Sequence, residues 1–252
     1  MTKVSKRQLL LTGAAAGAAI AAPGVWREAR AEDSVDLVLV LAADVSRSVD
    51  DEKFKLQREG YATAIADPTV VRLMQSGKHK AIALQLVEWS GASAVSVMVD
   101  WVRISTHDDA VTFADRLRAA PRLYRDRTSI STAIDFSLGQ ITKAPFIAER
   151  KVIDVSGDGT HTAGRDVLLA RDEALAKGVT INGIAILSAV PLPFNPTHTH
   201  PPGGLLKYYE DHVIGGPHAF AIAAEGFSEF GQAIRQKLIK EIAGVPDRVK
   251  HA

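Results

Sequence analysis

Asp44-Val45-Ser46-Arg47-Ser48 sets one acid and two hydroxyls at alternate positions, directly after the apolar run Val35–Ala42 (VDLVLVLA). Such a run, rich in β-branched residues and Leu, reads as a strand covered on both faces. In an open α/β sheet, ligands collect in the crevice outside the carboxyl ends of the strands, which is where this string falls. If the chain turns around a point, these side chains converge on it with hard oxygens, suited to Mg²⁺, Mn²⁺ or Ca²⁺ and not to copper or zinc. On its own the string serves as well as a turn, with Ser46 or Ser48 capping the next helix and Asp44 bonding the loop backbone. Two later junctions favour the first reading. Thr128, in Arg127-Thr128-Ser129-Ile130-Ser131, and Asp158, in Ser156-Gly157-Asp158-Gly159, also bring oxygen donors to the carboxyl edge of the sheet.

With these five residues in order, the chain resembles the von Willebrand factor A (vWA) domain and its metal-ion-dependent adhesion site. That family reads Asp-x-Ser-x-Ser after the first strand, a Thr in a later loop, and Asp-Gly after the fourth strand. The resemblance implies that Ser46 and Ser48 bind the metal directly, that Thr128 does so in ligand-occupied states, and that Asp44 and Asp158 bind directly or through water. With few direct carboxylates the cation stays electrophilic and takes an acidic group of a partner as its last ligand. Mg²⁺ keeps near-octahedral geometry at about 2.0–2.1 Å and retains waters, so an exchangeable position is natural. One departure stands out: where family members commonly carry glycines before the Thr, this chain has Asp126-Arg127, which implies a stiffer loop or a place for Asp126 in the metal shell. The passages Thr128–Ser137, Val152–Gly159 and Tyr208–Phe220 are similar to a bacterial secreted vWA-like family without an assigned function, a likeness covering about Ser34–Gly244.

Other residues invite weaker readings. Asp154 lies inside the strand Lys151–Ser156, and a lone buried carboxylate costs several kcal/mol unless paired. A buried Asn, Ser or Arg is the expected partner, with Asn182 a candidate; the other reading is a catalytic acid. Four residues of extended chain hold Asp154 about 13 Å from Asp158, too far to share an ion. His198 and His200, alternating in Thr197-His198-Thr199-His200-Pro201, could bind a soft divalent ion with a third ligand, but in a proline-rich loop they read first as exposed. Arg47 is expected to face solvent or a partner acid, and Trp89 and Trp101 to pack. Gly215-Gly216-Pro217 is a turn; no nucleotide-binding glycine pattern and no Gly-x-Ser-x-Gly elbow occurs.

The elements that must position these groups alternate along the chain. A helix is expected from Asp50-Asp51-Glu52 to about Ala66, broken by Asp67-Pro68. Lys80–Glu88 and Val95–Arg103 read as strands of a hairpin around Ser90-Gly91-Ala92-Ser93. Helices follow at Asp108–Ala119 and Thr128–Gln140, then the strand Lys151–Ser156 and a helix over roughly Gly164–Lys177, stopped by Gly178. Val179–Leu187 and Ala219–Ala223 read as strands and Phe227–Ala243 as the closing helix. This order predicts an α/β, vWA/Rossmann-like open sheet, mostly parallel with one antiparallel edge strand and helices on both faces. Ser188–Gly204, with five prolines, Phe194 and two histidines, reads as a long surface loop, and Val245–Ala252 as a tail.

Residues 1–31 have the three parts of a signal peptide: basic Lys3, Lys6 and Arg7, the apolar Leu9–Ala22, and Ala29-Arg30-Ala31 as a cleavage site. Ser5-Lys6-Arg7-Gln8-Leu9-Leu10 resembles a twin-arginine signal with Lys for the first Arg. The apolar middle is shorter than the roughly 20 residues a membrane span needs. The whole chain has 30 Lys+Arg and 29 Asp+Glu; residues 1–31 hold five of the bases and one of the acids, so residues 32–252 carry a net charge of −3 and give no case for nucleic-acid binding. The absence of cysteine excludes disulfides, thiolate metal sites and cysteine nucleophiles.

The expectation is therefore a periplasmic or secreted vWA-like domain, residues 32–244, holding a divalent cation, Mg²⁺ first. Through it the domain would bind an acidic group of an exported or envelope protein. The alternative is a metal-assisted hydrolase or phosphatase using the same crevice. Aspartyl phosphatases need a second Asp two residues after the first, and Ser46 holds that place, so an enzyme is not expected. Metal buffering by the histidine loop is a third, lesser reading.

Overall fold

A computed structural model describes residues 34–244; the signal peptide expected at 1–31 and the tail expected at 245–252 lie outside them. At its centre is β1, Leu37–Asp44, buried at every position. Side chains of a strand alternate between faces. Leu37, Leu39, Leu41 and Ala43 thus join one core layer, and Val38, Val40 and Ala42 the other. A strand of this composition has no solvated face, which explains why the run is apolar throughout.

The remaining elements are α1 (Asp51–Ile65), α2 (Pro68–Met74), β2 (Ile82–Trp89), β3 (Val95–Ile104), α3 (His107–Ala119), α4 (Ile130–Lys143), β4 (Arg150–Gly157), α5 (Val167–Ala176), β5 (Thr180–Ile186), α6 (Pro196–Thr199), α7 (Leu205–His212), β6 (Ala221–Ala224) and α8 (Phe230–Ala243). The strands form one sheet in the order β3-β2-β1-β4-β5-β6. Every pairing is parallel except β2 with β3, so the antiparallel strand is at an edge, as the hairpin around Ser90 predicts. The layer of Leu37 and Leu41 includes residues of α1, α2, α3 and α8, and the opposite layer residues of α4, α5 and α7. The expected α/β architecture is the observed one.

Local chemistry sets the element ends. Asp50 caps α1 by accepting from Lys53 N at 2.9 Å, and Thr106 with Asp109 forms a reciprocal capping box on α3. Asp67-Pro68 ends α1 at Ile65, as expected, and also begins the next helix: Asp67 accepts from Thr69 N and Val70 N, and Pro68 occupies the first turn of α2, where no amide partner is needed. The segment Ser188–Gly204 also departs from expectation. It contains the helical turn α6, and α7 follows at once, packed through buried Leu205 and Tyr209. None of the helices among the described residues is long and apolar enough to cross a membrane.

Candidate metal centre

β1 delivers Asp44 to the carboxyl edge, opposite Trp89 of β2. The chain then turns: Asp44 Oδ1 accepts from Ser46 N at 2.7 Å, and Val49 N donates to Ser46 O at 3.1 Å. Three long side chains, Arg122, Gln57 and Lys53, satisfy carbonyls of this turn. Arg122 donates to Val45 O (3.0 Å), Ser46 O (3.3 Å) and Val49 O (2.7 Å), and Gln57 Nε2 to Asp44 O at 3.2 Å. The serine hydroxyls are thereby free for other work. Ser46 Oγ lies 3.1 Å from Ser48 Oγ, and Ser48 Oγ donates to Asp158 Oδ1 at 2.6 Å, across 110 residues of sequence.

Charge at this cluster is unbalanced. Asp44 is fully buried and Asp158 nearly so. Lys53 Nζ stands 3.9 Å from Asp158 Oδ2 and donates to Ser48 O at 2.9 Å. Asp44 Oδ2 has no hydrogen-bond partner among the described residues. Burial, and after it the nearby Asp158 carboxylate, pushes the Asp44 carboxyl up to about 8, against hydrogen bonding from Ser46 and from the Asp158 backbone. Burial also raises Asp158, with Ser48 and Lys53 opposing. The two desolvated carboxylates have the Lys53 ammonium beside Asp158 and the Arg122 guanidinium on the loop carbonyls, yet neither cation donates to Asp44 Oδ2, and that orphaned oxygen marks where positive charge is missing. These residues therefore fit a hard divalent cation.

Thr128 enters from the loop before α4. Thr162 N and Ala163 N donate to its carbonyl at 2.8 and 3.2 Å, which fastens its loop to the one after Asp158. Its hydroxyl lies 3.3 Å from His198 Nε2. Asp44, Ser46, Ser48 and Asp158 thus form one hydrogen-bonded chain, while Thr128 is tied to the loop after Asp158, through His198 and the amides of Thr162 and Ala163. Two glycines make room. A Cβ at Gly157 would lie 2.6 Å from Tyr209 Oη and 2.9 Å from Asp44 Oδ2, and one at Gly159 would lie 2.1 Å from His198 Nε2. Tyr209 Oη is itself buried without a partner among the described residues.

His198 corrects the expectation of two exposed loop histidines: it is 6% exposed, and burial pushes its imidazole below its ordinary value. His200 is exposed, its Nδ1 3.0 Å from Thr199 Oγ1. Among the described residues no group of three or more His, Cys, Asp or Glu side chains is placed to hold a metal, so this pair lacks the third such ligand its reading needed. The five-residue set has only two carboxylates and relies on hydroxyls. Asp126 stands on the rim, half exposed, with its Oδ1 accepting from Arg127 N at 2.7 Å; Arg47 is exposed, 4.0 Å from Asp126. Trp89 is buried in the core, and Trp101 packs edge-on to Phe146. Asp154 is buried as expected, but its partner is Lys237 of α8, Nζ to Oδ1 2.7 Å, and not Asn182. Asn182 instead donates to Glu241 Oε1 at 2.8 Å. Arg122, Gln57 and Tyr209 had no signal in the sequence, since each reaches the site from a separate element.

A six-stranded, mostly parallel sheet with helices on both faces and this loop at the carboxyl edge of β1 defines a vWA-like domain. Solved structures of the same fold include proximal thread matrix protein 1 (PTMP1) from the mussel byssus, at 15% identity and a TM-score of 0.60 over 83% of this chain and 49% of that one. The pilus adhesin SpaC from Lactobacillus rhamnosus GG matches at 12% identity and 0.60, over 83% and 31%. A von Willebrand factor type A protein from Catenulispora acidiphila matches at 15% and 0.55, over 82% and 43%. This chain spans half the length of these proteins or less. Within the fold, it belongs to the family described as "Protein of unknown function (DUF1194)", whose profile matches residues 34–246. No curated protein sequence matches it.

Proposed function

We propose that this chain is a metal-dependent recognition module. Asp44, Ser46, Ser48, Thr128 and Asp158 hold one divalent cation, and an acidic side chain of an exported or envelope protein completes its coordination. The observation that carries the reading is Asp44 Oδ2, a buried carboxylate oxygen without a partner among the described residues, in a hydrogen-bonded chain with Asp158 and both serines. Oxygen donors of this kind suit Mg²⁺ first, with Mn²⁺ or Ca²⁺ as alternatives. When bound, the cation supplies a Lewis-acidic position that a carboxylate can enter. The chain's own residues do the rest: Arg122 and Gln57 hold the loop backbone, and Lys53 offsets part of the carboxylate charge. One form of PTMP1, at 15% identity, is described as having a zinc-occupied MIDAS motif, which supports a cation at this edge of the fold.

We read residues 1–31 as a signal peptide and 32–244 as the domain it exports to the periplasm or medium. The test is an affinity pull-down from envelope extract in Mg²⁺ or in chelator. An acidic partner retained only in Mg²⁺, and lost with Asp44→Ala, supports the reading. Retention unaffected by chelator overturns it. Turnover of a generic phosphate ester that the same substitution abolishes would move the assignment to a hydrolase.

A further inference from the structure

His198 comes from a segment whose five prolines read as surface, yet its ring is buried against the loop of Asp158. Both ring nitrogens face threonines: Nε2 lies 3.3 Å from Thr128 Oγ1, and Nδ1 lies 3.4 Å from Thr160 Oγ1. Thr160 N also donates to His198 O at 2.9 Å, so backbone and side chain together lock the ring to this loop. The approach depends on Gly159, where any Cβ would fall 2.1 Å from Nε2.

A hydroxyl that ligates a cation uses a lone pair, and its proton must go to an acceptor elsewhere. A neutral imidazole has one acceptor nitrogen and one donor nitrogen. The two contacts accommodate this pattern, with Thr128 Oγ1–H donating to Nε2 and Nδ1–H donating to Thr160 Oγ1. We propose that His198 is a positioning residue of the metal centre: its Nε2 accepts a hydrogen bond from the Thr128 hydroxyl, which turns a lone pair of Thr128 Oγ1 toward the cation. This rests on the reading of Asp44, Ser46, Ser48, Thr128 and Asp158 as a cation site. It adds a residue that does not itself touch the ion, and it gives the proline-rich loop a role in the site. Partners that hold a metal ligand in orientation typically matter by about 10–100-fold in metal affinity.

The test is calorimetric titration of the full chain with Mg²⁺ alone and with Mn²⁺ alone. His198→Ala should weaken binding by about 10–100-fold. His198→Gln, whose amide oxygen accepts the same proton, should recover part of the loss. In a Thr128→Val background His198→Ala should add little, because the two act as one unit. Wild-type affinity in His198→Ala overturns the proposal while leaving the cation site standing. If wild type takes up neither ion, or Asp44→Asn binds as well as wild type, the site reading itself falls and this proposal with it. A readout that needs neither metal nor variant is the imidazole ¹⁵N spectrum. It should show His198 as the Nδ1–H tautomer, and an Nε2–H tautomer would overturn the assignment. Imidazole ¹⁴N coupling to bound Mn²⁺ would do so too, by making His198 a ligand.

Discussion

Lys237→Met should lower stability by an amount that grows with pH. Lys237 is fully buried on α8, with Nζ 2.7 Å from Asp154 Oδ1 and 2.5 Å from Glu241 Oε1. It is the cation of a cluster that holds two buried acids, and Asn182 satisfies Glu241 from the other side. Burial pushes the Asp154 carboxyl up to about 7, even though Lys237 pulls it down; Glu241 adds to the rise. The folded value is above the ordinary one. The stability linked to the Asp154 proton is therefore present below about 4 and is lost as pH rises through about 7. Removing Lys237 drives the carboxyl higher still, so at pH 8.5 the variant must either bury an unpaired charge or take up a proton. Breaking a buried pair on one side costs about 3–5 kcal/mol. In a domain of this size each kcal/mol moves Tm by about 2–4 °C, so the expected loss at pH 8.5 is roughly 6–20 °C. At pH 5.5, where Asp154 is largely protonated in both proteins, the gap should be smaller. Thermal unfolding by circular dichroism at the two pH values measures it. A variant within about 2 °C of wild type at both, or a larger gap at pH 5.5, would refute the reasoning.

Three other outcomes follow from the same contacts. Gly157→Ala places a methyl against Tyr209 Oη and Asp44 Oδ2; it should cost about 1–3 kcal/mol in urea unfolding and weaken Mg²⁺ binding in calorimetry. Thr106→Ala removes the side chain that caps α3 and should cost about 0.5–2 kcal/mol by the same unfolding assay, without changing metal uptake. Asp67 is held below its ordinary value of 3.8, first by Arg235 and then by the amides of α2, so its contribution is present above that value and is lost as pH falls through the depressed one. Acid unfolding of Asp67→Asn should accordingly show a shallower loss below pH 3.8 than wild type does.

The sheet was readable because its signals are local. Continuous apolar runs marked the central strands, and Ser90-Gly91-Ala92-Ser93 marked the turn that makes β3 antiparallel. The order of Asp44, Ser46, Ser48, Thr128 and Asp158 is visible for a related reason: each stands at the end of a strand or in the short stretch before a helix, where the alternating pattern points to the carboxyl edge. What escaped depends on distant chain. Asp154 was recognisable as needing a partner, but the identity of that partner turns on the register of α8 against the sheet, 83 residues later, and nothing local singles out Lys237 from the neighbouring Lys240. Pro68 does follow the end of α1, yet it and Pro196 also open helices, because proline in the first turn needs no amide partner. His198 read as exposed because composition describes a whole loop, whereas burial is decided by the glycine at 159 that lets one ring in.

The central claim, that the scattered oxygens meet at one cation, is tested most directly by anomalous diffraction from crystals soaked in Mn²⁺. The account predicts a single strong peak within ligand distance of Ser46 Oγ and Ser48 Oγ, between the carboxylates of Asp44 and Asp158. A peak only elsewhere, or none there at saturating ion, would contradict it.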